Sequence, residues 1–242
     1  VTFHVLLALA ALLAGAVASV VGFGIGSLLT PLLSLRVGTQ LAVAAISIPH
    51  VFATALRFWR LRAHVDRRVL ISFGVTSAAG GLTGALLHSF ANNRALSIAF
   101  GLILIFVGVS ELTGLARRMR FHGAVAWIAG AISGLFGGLV GNQGGIRSAA
   151  LLGFDVDKQS FVATATAIGL VVDAARMPVY FATQPREIAH IWVLILIATV
   201  GTLVGTLLGV RALRGIPERV FRNIVATVLL ALGAYMTLKG GA

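Results

Sequence analysis

Asn142, Gln143 and Arg147 stand among glycines and alanines in the apolar run GLVGNQGGIRSAALL, residues 138–152. A guanidinium near the middle of a membrane costs about 2.5–3.5 kcal/mol on insertion scales, so such a group normally faces a cavity or a partner. Its planar fork can hold an oxyanion through two parallel hydrogen bonds. Gly144 and Gly145 would bare backbone N–H groups beside it, and a helix starting there would add partial positive charge. The amides of Asn142 and Gln143 supply neutral donors for the remaining anion oxygens. The competing reading pairs Arg147 with a backbone carbonyl or lets it snorkel to an interface.

Asp173, in AIGLVVDAARMPVY, is the one acid deep inside an apolar segment, and Arg176 follows it on the same helical face. The pair reads as a neutral structural unit, as a proton-coupling acid, or as a resting partner for Arg147 or Arg176. Arg176 is also a candidate substrate contact. His50 follows Pro49, which removes a helix hydrogen bond, and a histidine there can couple anion movement to protons. Ser27 and Thr30 offer hydroxyl donors or close-packing small residues.

Other chemistry finds little support. The chain has no cysteine, which removes disulfides, thiolate metal sites and a cysteine nucleophile. No HExxH or EF-hand pattern occurs, so no metal and no cofactor are expected. GFGIG lacks a βαβ setting for dinucleotide binding. RFWRLRAHVDRR (57–68) lies between apolar spans and reads as a loop, not a nucleic-acid surface.

The elements that must position these residues are membrane helices. Of 242 residues 58% are hydrophobic and 11% charged, with mean hydropathy +1.00. A soluble domain carries about a quarter charged residues. Apolar segments fall at 3–33, 41–58, 69–90, 95–112, 122–153, 160–182, 188–210 and 220–238. A span needs ~20 residues. Segments 3–33 and 122–153 exceed that and are glycine-rich, so each is predicted to be a pair of short helices meeting at a break. The net charge of +12 fits basic loops that set topology in a multi-pass protein of the bacterial inner membrane. A signal peptide is not expected, because Val1–Phe3 carry no basic side chain and the apolar run is long.

The two long segments also match each other. An offset of 119 lays VGFGIGSLLTPLLSLRV on VGNQGGIRSAALLGFDV and pairs Gln40 with Gln159, Ser47 with Thr166 and Arg57 with Arg176. After a small slip in register, GGLTG (80–84) falls on GTLVG (201–205), and further on Gly108 on Gly233. Residues 1–118 and 119–242 therefore read as two four-segment repeats. Matching broken helices in duplicated halves mark the binding site of secondary transporters. If each long segment enters and leaves by one face, the repeats are inverted. Basic residues then split thirteen to five, against eleven to seven for full crossings. The positive-inside rule favours the inverted arrangement with both termini outside.

GFGIGSLLTPLL (22–33) and GLFGGLVGNQGGIRSAALL (134–152) resemble the sulfite exporter TauE/SafE (TSUP) family, over essentially the whole chain. Many members carry a glycine triplet followed by proline in both halves. Here the second copy has Ala150 where the first has Pro31, and adds Arg147. The resemblance implies transport of a sulfur-containing anion such as sulfite, a sulfonate or thiosulfate. The expectation is a secondary carrier, not an enzyme, working by alternating access. Arg147, Gln143 and Asn142 would hold a small anionic substrate, and Asp173 or His50 would couple protons. A passive channel and a structural subunit are the rivals, and small-residue helix faces leave a homodimer open.

Overall fold

The computed structural model describes residues 2–115, 124–142, 144–151, 154, 157–212 and 218–241, and among them there is helix but no strand. The helices are α1 (Thr2–Val21), α2 (Ile25–Val37), α3 (Thr39–Leu61), α4 (Arg67–Phe90, π-helical over Leu70–Gly74) and α5 (Asn93–Thr113). After these come α6 (Ala124–Val140), α7 (Gly144–Leu151), α8 (Lys158–Thr183), α9 (Pro185–His190), α10 (Trp192–Ala212) and α11 (Glu218–Gly241). Six of them, α1, α3, α4, α5, α8 and α10, are long and apolar enough to cross a membrane.

Local sequence explains the ends. Asn92 caps α5 by accepting from the Ala95 N–H, and Gly114, at φ +68°, ends it. Asp157 caps α8 by accepting from Gln159 and Ser160. Those hydrogen bonds, from Ser160 above all, hold its carboxyl below the usual carboxylate range.

Both long segments break where the glycines predict, at 22–24 and after Val140. The first member of each pair is not short, however. α1 runs for 20 residues and α6 for 17, because the glycine clusters lie towards the ends of the segments. The partners α2 and α7 have 13 and 8. The predicted segment 188–210 is also interrupted: Pro185 starts α9, and a turn at Ile191 separates it from α10.

Helices pair through their smallest residues. α1 lies on α10, α4 on α6 and α5 on α11, while α3 and α8 pack together between them. At Gly84 and Gly138 a side-chain carbon would overlap the facing backbone at Leu135 and Gly81. This close approach is how apolar helices gain contact without a hydrophobic drive between them. Ser77 adds a hydrogen bond from α4 to the Gly130 carbonyl of α6, 2.9 Å. Large apolar side chains such as Leu9, Leu13, Ile128, Leu196 and Leu208 point outwards. Arginines, an aspartate and hydroxyls lie inside. That inversion suits a lipid exterior.

Candidate anion-binding site

The two helix breaks meet each other. A side-chain carbon on Gly26, in the first turn of α2, would overlap the Gly141 carbonyl. One on Gly144, which opens α7, would overlap Phe23. Gly141 sits at φ +73°, a shape that glycine adopts without strain. No side chain caps α2. The N-termini of α2 and α7 thus gather orphan N–H groups in the interior, each end carrying partial positive charge.

Arg147 lies in the first turn of α7 and is 2% exposed. Its guanidinium lies against α8 at Gly169, a position that Thr54 of α3 also borders. A side-chain carbon on Gly169 would stand 3.1 Å from Nη1 and 3.6 Å from the Thr54 methyl. Nε and Nη1 of Arg147 have no hydrogen-bond partner. The same holds for Asn142 Nδ2, Thr30 Oγ1 and Thr54 Oγ1, all buried. Buried donors are paired in more than about nine cases in ten, so orphans on both sides of the breaks call for an explanation. Ser27 is buried on α2, and Gly145 is the second residue of α7. Gln143 lies outside the described residues.

Asp173, by contrast, is fully engaged. Its Oδ1 accepts from Arg176 Nε at 2.9 Å and lies 2.8 Å from Nη2, while Oδ2 meets His50 Nδ1 at 2.6 Å. Arg176 Nη1 donates to the Gly137 carbonyl at 2.6 Å. Each of its three nitrogens is therefore bound by protein. The triad joins α3, α8 and the end of α6 into one electrostatic unit.

Arg57 is buried inside α3 rather than exposed in a loop. Its Nε donates to Thr166 Oγ1 at 3.1 Å, and Nη1 donates to the Ala18 carbonyl. Ala18 and Gly137, like Arg57 and Arg176, stand 119 positions apart, so each arginine ties down the helix ahead of a break. A cavity of about 350 Å³ reaches Arg57, lined also by Ser19, Arg60, Gln159 and Thr206. Shifting Leu61 of that lining by the same offset gives Tyr180, and Ser19 gives Gly138. There the Tyr180 hydroxyl donates to the Gly138 carbonyl, and the His88 ring packs edge-on at 5.0 Å.

Sequence reasoning did not single out Thr54, Gly169 or Tyr180. A signal for two of them existed, since Thr54 and Gly169 are the offset partners of Asp173 and His50.

The family model described as sulfite exporter TauE/SafE matches residues 7–236. The chain belongs to that family. No curated protein and no solved structure matched it. TauE/SafE proteins are a transporter family, and this member is a multi-pass membrane protein by its apolar helices. Asp173 forms its ion pairs with His50 and Arg176, not with Arg147 or Arg57.

Proposed function

We propose that this TauE/SafE protein is a secondary carrier for a small sulfur oxyanion or organosulfonate in the bacterial inner membrane. The observation that carries the reading is Arg147, buried at the meeting of two helix breaks with Nε and Nη1 unpaired. Asn142, Ser27, Thr30 and the N–H groups at Gly144 and Gly145 complete the anion's surroundings. An anion there offsets the desolvation cost of burying the guanidinium.

Residues 1–118 and 119–242 act as inverted repeats. In support, Arg36 at the end of α2 lies 5.8 Å over the Phe3 ring at the start of α1, so the broken pair turns back to its starting face. Arg60, Arg62, Arg67 and Arg68 cluster at the opposite ends of α3 and α4, which the positive-inside rule assigns to the cytoplasm. The cavity at Arg57 opens on that basic side, while Tyr180 and His88 fill the corresponding place on the other. That difference is what alternating access requires of one of its two states. Protons couple through His50 and Asp173, because protonating either member breaks or reforms the link that holds Arg176.

Flux of labelled sulfite into proteoliposomes tests the reading. The expected result is saturable uptake that responds to a proton gradient and loses that response in His50→Gln. Flux that neither saturates nor responds to the gradient would make the protein a channel. Absence of flux for sulfite and sulfonates alike, with folded protein present, would overturn the proposal.

A further inference from the structure

Arg57 and Arg147 meet α8 about one helical turn apart. Arg57 bonds Thr166 on α8, and Arg147 rests on Gly169, three residues further along. On α3, the Thr54 methyl borders that same Gly169 position, and Arg57 itself is three residues on. Three residues of α-helix rise about 4.5 Å, a spacing that one small oxyanion can bridge. Among the described residues, three buried arginines face one buried carboxylate, and Asp173 is already taken by Arg176 and His50. Neither Arg57 nor Arg147 is paired with a carboxylate in the ion pairs of that unit.

The surroundings fit a ligand rather than a packing role. Arg57 is held in place by the Ala18 carbonyl and Thr166, so its charge cannot swing away. Arg147 Nε and Nη1 and Thr54 Oγ1 are buried donors without acceptors. The cavity on the basic side is lined by Arg57 and Arg60 but not by Arg147. An anion entering there meets Arg57 first.

Resting on the carrier reading, we propose that Arg57 and Arg147 form a two-guanidinium clamp that selects small doubly charged oxyanions over singly charged ones. A monoanion leaves one cation unneutralised in a low-dielectric interior, whereas a dianion compensates both. Arg57 is then the specificity-determining residue, and Arg147 supplies the deeper half of the site.

Thiosulfate and methanesulfonate, small sulfur oxyanions of charge two and one, are the probes, titrated into the purified full chain by calorimetry. Wild-type protein is expected to bind thiosulfate at least about tenfold more tightly than methanesulfonate. Arg57→Gln should cut that preference below about threefold, chiefly through weaker thiosulfate binding. A wild-type protein that binds both equally, or an Arg57→Gln protein that keeps the full preference, overturns the clamp and leaves the carrier reading standing. If wild type binds neither probe nor sulfite, the carrier reading itself falls. Because Arg57 also ties down α1, the unaltered chain provides a second measurement. Anomalous scattering from selenate, another dianion, should place selenium within reach of both guanidiniums. A selenium peak against Arg147 alone counts against the clamp.

Discussion

Asp173→Asn would leave the Arg176 guanidinium buried with a neutral neighbour in place of its carboxylate. Removing one partner of a buried pair costs about 3–5 kcal/mol, and thermal unfolding in detergent should register that loss. Adding Arg176→Gln in the same chain should restore part of it, since the stranded charge is then gone. An Asp173→Asn protein as stable as wild type would deny the triad its structural role. Arg147 predicts the opposite balance. Arg147→Met removes a cation that makes no hydrogen bond through Nε or Nη1, so the variant should insert and melt no lower than wild type. Its sulfite affinity should fall by at least about a hundredfold, and affinity retained in a thermal-shift titration would refute the anion site. The sequence alone disclosed Arg147, because a charge in an apolar run needs a reason, and it disclosed Asp173 with Arg176 through helical spacing. It could not disclose His50 with Asp173, which lie 123 residues apart and meet only when α3 packs on α8. Arg57 was ambiguous for a related reason: a helix end and a loop look alike where an apolar run gives way to arginines.

At the level of elements, the breaks are the features on which the site depends. Gly141→Ala places a side chain at φ +73°, at a cost of about 1–2 kcal/mol. The added carbon would also stand 3.2 Å from a methyl of Val43. A lowered melting temperature together with weaker sulfite binding is expected, since the same junction presents the N-termini of α2 and α7. Loss of stability without loss of binding would separate the break from the site. The start of α8 gives a pH test. Asp157 has a carboxyl held low by its capping bonds, so its contribution is present above the unfolded carboxylate's range and fades as pH falls through the folded value. Asp157→Ala should therefore melt earlier than wild type at neutral pH, and the two melting curves should converge in acid. The positions of both breaks were legible because glycines cluster there. The lengths of α1 and α6 were not, because hydropathy records a continuous apolar run and not where a helix stops within it.

The whole molecule can be interrogated through its lack of cysteine, which lets one introduced thiol report one position. Val43 and Val162 stand at the repeat offset of 119, yet their surroundings differ. Val162 lines the cavity that reaches Arg57, while Val43 is 1% exposed beside Gly141. A membrane-impermeant maleimide should modify Val162→Cys readily from the arginine-rich face and label Val43→Cys only slowly from either face. Tyr180 links these two observations, since its hydroxyl bonds the Gly138 carbonyl on the closed side. Tyr180→Phe deletes one buried hydrogen bond, worth about 1 kcal/mol net, which corresponds to roughly a fivefold shift in a two-state balance. If the closed side opens by releasing that bond, labelling of Val43→Cys from the arginine-poor face should rise about fivefold in the Tyr180→Phe background. Labelling of Val162→Cys from the basic face should not rise with it, because both sides cannot gain access together in an alternating carrier. Parallel increases at both positions would instead describe a loosened protein or a continuous pore, and no increase at Val43→Cys would remove Tyr180 from the closure.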